Sequence, residues 1–309
     1  MAEVFLGTTY SIGGFERRFA IKMVHRHLLN NEQFVSMLLD EARIAGLVNH
    51  ANVVGVLDVH YSGDQLFLVM DYVEGMTLAD LATALWDGEG MVPIEITLRV
   101  GFDMLSALEA VHDLRGPDGS LLHVVHRDLS PRNVLIGTDG ICRLTDFGIV
   151  LARGRLTETP PNVVKGTLGY VAPEVIVGRT VDQRADLYSL GVLLWELLTG
   201  RRLFRRTRPL RGNGDRRLTF PATHVPSPQE CNPSVPSSVA QVCFKALQPD
   251  PADRYETATD MRAALEQASS AAGLGEAESH LTGRLVSALR RNRRRTFQVD
   301  RDPASKSPD

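Results

Sequence analysis

The stretch His126-Arg127-Asp128-Leu129-Ser130-Pro131-Arg132-Asn133-Val134-Leu135, followed by Thr145-Asp146-Phe147-Gly148, decides how this 309-residue chain is read. It sets two carboxylates and a carboxamide at short spacing. Asp128 is the type of group that accepts a proton from an attacking hydroxyl. Asn133 and Asp146 offer oxygen atoms, the hard donors that Mg²⁺ prefers. Gly148 frees the backbone for a turn after the second carboxylate.

The bulk composition narrows the setting. Apolar residues make up 43% and charged residues 23%, as in ordinary globular chains. A net charge of -3 gives no global field toward nucleic acid or an anionic membrane. Cys142, Cys231 and Cys243 are too scattered for a disulfide framework or a zinc site, which suits a reducing cytoplasm. The longest apolar run, Leu187–Leu198, is broken by Ser189 and Glu196 and is too short to span a bilayer. The N-terminus lacks the basic region and apolar core of a signal peptide.

Two textures divide the chain. Val4–Leu6, Arg18–Met23, Val53–His60 and Leu66–Tyr72 read as strands, with a helix over Asn31–Val48 between them. After Gly75 the pattern turns helical, over Ile94–Leu114, Ala185–Leu198, Ser238–Leu247 and Thr257–Ala268. Arg201–Arg217 and the Pro-rich Pro221–Ser238 read as loops. A short helix is expected over Glu276–Arg291, then the basic cluster Arg290–Arg295 and a disordered end over Asp300–Asp309. The basic clusters read mainly as solvated surface, with docking of an acidic partner as the alternative. Without interleaved aromatic residues they carry no signal for specific nucleic-acid binding.

These motifs, in this order and at this spacing, resemble the signature set of protein kinases. The loop DLSPRN, the long approach PDGSLLHVVHRD and the hairpin GGFERRFAIK resemble bacterial Hanks-type serine/threonine kinases, myxobacterial ones especially, over residues 1 to about 268. The resemblance implies an α+β, bilobal protein-kinase fold. A β-rich small lobe would occupy residues 1–74, a helical large lobe 75–270, and a basic, partly disordered tail 271–309. It implies ATP and Mg²⁺ as cofactors and a protein hydroxyl as acceptor. Asp128 would be the base, with Asn133 and Asp146 on the metal. Lys22, in Ala20-Ile21-Lys22, would meet the nucleotide phosphates, paired to Glu41 nineteen residues on. Met70 would stand at the back of the adenine slot, Val4, Ala20 and Leu135 along its faces, and the backbone of Asp71 and Val73 at its edge. His126 and Phe147 would pack and orient.

The resemblance also implies architecture. Arg127 would meet a phosphate on the segment from Asp146 to Glu174, at Thr157 or Thr159, and Thr167 would belong to the substrate-docking loop. Glu174, in Ala172-Pro173-Glu174, would pair with Arg254, and Asp186 would hold the catalytic-loop backbone. Small-molecule kinases of related fold generally lack the segment closed by that motif, so a protein substrate is favoured over a small one.

Two departures qualify the picture. The glycine-rich phosphate loop is incomplete: Ala2 falls where its third glycine would stand, and no first strand precedes it. Gly13-Gly14 lies only eight residues before Lys22, a hairpin turn's distance. Either Met1 is an internal methionine of a longer chain, the favoured reading, or the protein is a weak or inactive kinase. Ser130 also stands where serine/threonine kinases usually place a lysine; Arg132 could supply that charge. A pseudokinase serving as a binding or scaffolding module is therefore the alternative function, opposed by the joint presence of Lys22, Glu41, Asp128, Asn133 and Asp146.

Overall fold

The computed structural model describes residues 2–88, 91–146, 169–204 and 225–299. Its first part is an antiparallel sheet of β1 (Ala2–Ser11), β2 (Phe15–Val24), β3 (Val56–Ser62) and β4 (Gln65–Asp71), in the order β1-β2-β4-β3. Gly13 and Gly14 lie at φ 84° and 79° in the β1–β2 turn, the left-handed conformation that a tight hairpin turn needs. Helices α1 (Arg26–Leu29) and α2 (Glu32–Ala45) cover the sheet. Asn31 caps α2 by accepting the Phe34 N–H at 3.0 Å. Val24, Leu38, Ala42, Leu66 and Leu68 form a small core between α2 and the sheet.

The second part is mostly helical. A small sheet, β5 (Gly75–Thr77), β6 (Val134–Gly137) and β7 (Cys142–Leu144), is joined by α3 (Leu78–Gly88) and α4 (Ile94–His112). Then come α5 (Pro173–Ile176), α6 (Arg184–Thr199), α7 (Pro228–Cys231), α8 (Ser237–Ala246), α9 (Ala258–Ala271) and α10 (Ser279–Val299). Helix α6 is buried along its whole length from Ala185 to Thr199. That explains its largely apolar sequence: a helix apolar on nearly all sides belongs inside a core. It packs between α4 and α8, which α9 joins.

The structure revises several expectations. Val53 does not open a strand of the small sheet; β3 begins at Val56, and Val53 bridges instead to Leu144 of the other lobe. Val54 N–H donates to Leu144 O at 2.9 Å and Leu144 N–H to Asn52 O at 2.8 Å, so this segment staples the lobes together. Within the Pro-rich stretch, residues 228–231 form the short helix α7, with Pro228 in its first turn. The tail is helical through Val299, and Arg290 is paired rather than merely solvated. Residues 205–217 of the Arg-rich loop and the end from Asp300 lie outside the described residues, but Arg202 is fixed, bonding Glu196 at 2.8 Å. Among the described residues no helix is long and apolar enough to cross a membrane.

One buried ion pair locks the large lobe. Arg254 Nη1 and Nη2 donate to Glu174 Oε1 and Oε2 at 2.7 and 2.8 Å. The guanidinium also donates to the carbonyls of Arg184, Gln248 and Pro249, and lies 4.9 Å from the Tyr188 ring centroid. Arg254→Met is expected to lower unfolding free energy by about 3–5 kcal/mol in urea titration, because it strands a buried carboxylate. Arg254→Lys, which keeps the charge but not the fork, should cost less.

Candidate active site

The loop between α4 and β6 carries Asp128, and its backbone is built around Asp186 at the start of α6. Arg127 has φ +65°, a left-handed conformation that costs about 1–2 kcal/mol for a residue with a Cβ. Asp186 Oδ1 accepts the Arg127 N–H at 2.7 Å, and Oδ2 accepts the His126 N–H at 2.8 Å. His112 Nε2 lies 2.8 Å from the same Oδ2. Burial alone would raise the Asp186 carboxyl. The His112 hydrogen bond, the attraction of His112 and His126, and the Arg127 N–H together hold it below its usual range. His112 had no motif to announce it; only the fold brings the end of α4 to this carboxylate.

The expected catalytic residues come together along one path. Asn133 Nδ2 donates to the Asp128 carbonyl at 2.8 Å and to Asp128 Oδ2 at 2.9 Å. With its nitrogen spent there, Asn133 presents its carbonyl oxygen. Thr145 N–H donates to Asn133 O at 2.9 Å, which sets Asp146 beside the loop. Asp146 has φ +53°, and its Oδ1 meets Lys22 Nζ at 2.6 Å. Lys22's ion pair thus runs to Asp146 rather than to Glu41. Glu41 is buried on the face of α2 that also holds Leu38, Ala42 and Ala45. Phe147 and Gly148, and Thr157, Thr159 and Thr167, lie outside the described residues.

Register explains how the nucleotide-slot candidates face one another. Cross-strand partners share a sheet face. Val4 pairs with Lys22, and Ala20 pairs with Met70. Val4, Ala20, Lys22 and Met70 therefore stand on one face, whose far end, Val24, packs on α2. Met70 is buried, Ala20 and Leu135 are half-buried, and Val4, on the edge strand, is 63% exposed. The Asp71 N–H is already bonded to Gly55 O at 3.0 Å, so that donor is not available to a ligand. The Gly13-Gly14 turn closes the Ser11–Phe15 pair, seven register steps from Val4–Lys22. At about 3.4 Å per residue that is about 24 Å, too far to cradle phosphates within reach of Lys22.

Three side chains nearby are informative. Burial lowers the His126 pKa from its ordinary value of 6.5 despite nearby carboxylates. Arg127 is pulled down by burial, and its Nε has no hydrogen-bond partner among the described residues. Ser130 is fully buried whereas Arg132 is exposed. A cation for a transferring phosphate would have to come from Arg132 or beyond the loop.

The residues fit a divalent cation only as part of a larger set. Among the described residues no group of three or more His, Cys, Asp or Glu could hold a metal alone. Two oxygens, from Asn133 and Asp146, suit Mg²⁺, which usually completes its shell with water and substrate phosphates.

A small antiparallel sheet covered by α1 and α2, joined to a helical lobe at the site just described, defines a two-lobed architecture. The protein kinase domain model matches residues 6–266, and the chain belongs to the protein kinase family. It is 36% identical over 266 residues to the tyrosine-protein kinase MasK of Myxococcus xanthus, covering 86% of this chain and 41% of that protein. It is 35% identical over 280 residues to the serine/threonine-protein kinase PrkC of Bacillus subtilis, covering 89% and 40%. The serine/threonine-protein kinase Pkn1 of Myxococcus xanthus is 33% identical over 273 residues, with coverage of 87% and 36%. The chain therefore spans about two fifths of the length of these curated relatives. The crystal structure of the Mycobacterium tuberculosis PknI kinase domain superposes with a TM-score of 0.62 at 24% identity, covering 87% of this chain and 91% of that one, which shows the fold.

The acid response follows from two groups with the same sign. His126, depressed below 6.5 in the fold, takes up a proton more readily when unfolded, so stability falls as pH drops below about 6.5. Asp186, depressed below 3.8, contributes stability that is lost further down, as pH falls below about 3.8. The urea midpoint should fall from neutral pH to about 5.5, and His126→Asn should flatten that slope.

Proposed function

We propose that this chain transfers the γ-phosphoryl group of ATP to a serine or threonine hydroxyl of a protein. The observation that carries the reading is the continuous path Lys22–Asp146–Thr145–Asn133–Asp128, which links phosphate-binding, metal-binding and proton-accepting groups. Asp128 orients the acceptor hydroxyl and takes its proton. The hydroxyl oxygen bonds to the γ-phosphorus as the bond to the β–γ bridging oxygen breaks, and ADP leaves. Asn133, bonded to Oδ2, holds the Asp128 carboxylate in one orientation. Mg²⁺, held by Asn133 and Asp146, would neutralise charge on the phosphate oxygens. Lys22 leaves Asp146 for the α- and β-phosphates, with Glu41 as its partner in that state. Ala20, Leu135, Val4 and Met70 would form the slot for adenine, and the Asp71 carbonyl and the backbone of Val73 would hold its edge.

Arg127 supports a further part of the reading. A guanidinium lowered by burial gains from a nearby anion, and a phosphate at Thr157 or Thr159 would supply one. The site suits the cytoplasm, where ATP is available and the three thiols stay reduced. Tyrosine as acceptor is a second reading, since a tyrosine-protein kinase is among the relatives.

Asp128→Asn should reduce phosphate transfer by about 10²–10⁴-fold, the share a positioned base supplies, with an unchanged urea midpoint. Autophosphorylation with Mg²⁺ and ATP, followed by phosphoamino-acid analysis, separates the readings. Phosphoserine or phosphothreonine in the parent supports the proposal, and phosphotyrosine alone favours the second. No transfer above the level of the Asp128→Asn protein would overturn both in favour of a binding module.

A further inference from the structure

The family match ends at residue 266, yet the chain beyond it is built into the large lobe. The segment before α10 is fastened to α4. Ala277 N–H donates to Glu95 O at 2.9 Å, Arg99 Nε donates to Ala277 O at 3.1 Å, and Arg99 Nη1 lies 3.4 Å from Glu276 Oε2. Helix α10 then lies against β5, β6 and α3. Thr282, Leu285, Val286 and Leu289 form a stripe at helical spacing. Thr282 and Val286 are fully buried, and Leu285 and Leu289 pack on the large core. The approach is backbone to backbone at two glycines. A Cβ on Gly140 would collide with the Ser279 carbonyl, and one on Gly283 with the Thr138 carbonyl.

Directly after Leu289, Arg290 reaches the connection between the lobes. Its Nη1 lies 3.2 Å from Glu74 Oε1, and it is the more buried partner, 18% against 50% exposed. Glu74 follows Val73 directly. Its carbonyl accepts the Thr138 N–H at 2.7 Å. Glu74 is thus held twice, through its carbonyl by the β6–β7 turn and through its carboxylate by α10, which itself packs on that turn.

We propose that α10 is a strap that fixes the interlobe hinge, with Arg290 as a positioning residue. By holding Glu74 it sets the backbone of Asp71–Val73, the edge on which adenine would rest. The effect on ATP rests on the function proposed above; the clamp on the hinge does not. An ion pair acts here at a lever point: a few tenths of an ångström at Glu74 passes directly to Val73, with one peptide between them.

The test compares the full chain with Arg290→Glu, Glu74→Arg and the double charge swap, by hydrogen exchange of peptides spanning 70–76 and by steady-state kinetics. Each single reversal should speed exchange in the hinge. It should also raise KM for ATP about three- to fivefold, the size a half-exposed ion pair can supply, with kcat moved less. The swap should restore both. Unchanged exchange in the single variants, or exchange in the swap as fast as in the singles, overturns the strap. Should the parent transfer no phosphate, the exchange data still decide the strap, and it is the ATP reading that falls.

Discussion

The backbone of the proposed active site is referenced to one buried carboxylate. Asp186 sits at the start of α6, the helix buried along its length, and is itself wholly enclosed. A carboxylate removed from water is tolerated only where donors replace the water. Here two backbone N–H groups and the His112 ring do so. The same bonds hold Arg127 in a conformation the chain would otherwise leave. The loop bearing Asp128 is thereby indexed to a helix buried along its length, and the cost of the strained residue is offset by charge-assisted hydrogen bonds.

From that point order passes outward through backbone rather than through long side chains. Asn133 ties the loop to Thr145, and β7 carries the tie to Leu144. Leu144 exchanges hydrogen bonds with Asn52 and Val54, and Asn52 Nδ2 donates to Cys142 O at 3.0 Å. Residues 52–54 follow α2 closely, so the helix bearing Glu41 is anchored to the large lobe at its C-terminal end. The lobes are thus joined at two places, at residues 52–54 and at the connection that holds Glu74.

The sequence made legible whatever depends on residue identity or on a long period. Asp128, Asn133, Asp146 and Lys22 stood out because their chemistry allows few substitutes. Helices α2, α4, α6, α8 and α9 showed through their apolar spacing, with ends displaced by a few residues. The Glu174–Arg254 and Asp186 contacts were legible only through the resemblance, since nothing local links residues so far apart. Illegible were features that tertiary contact alone determines. Val53 has strand composition but is claimed by Leu144 in the other lobe. The three-residue strands β5 and β7 are too short to show a period. His112 looks like any helix-terminal histidine. Arg290 sits in a run of arginines that reads as solvated surface, and only the landing of α10 on β5 and β6 distinguishes it. The Lys22–Asp146 contact joins residues far apart in the chain, and spacing along α2 carries no sign of it.

The two ion pairs Lys22–Asp146 and Arg254–Glu174 show how burial, not chemistry, separates a working contact from a structural one. Both join a cation to a carboxylate at under 2.8 Å. The Arg254 pair is almost wholly buried, bidentate, and surrounded by further acceptors, so neither partner can leave without stranding the other. The Lys22 pair is single and partly open, with side chains 21% and 40% exposed. Such a contact contributes at most about 1 kcal/mol. Of the two pairs, only the Lys22 pair can be exchanged for other partners without stranding a buried charge.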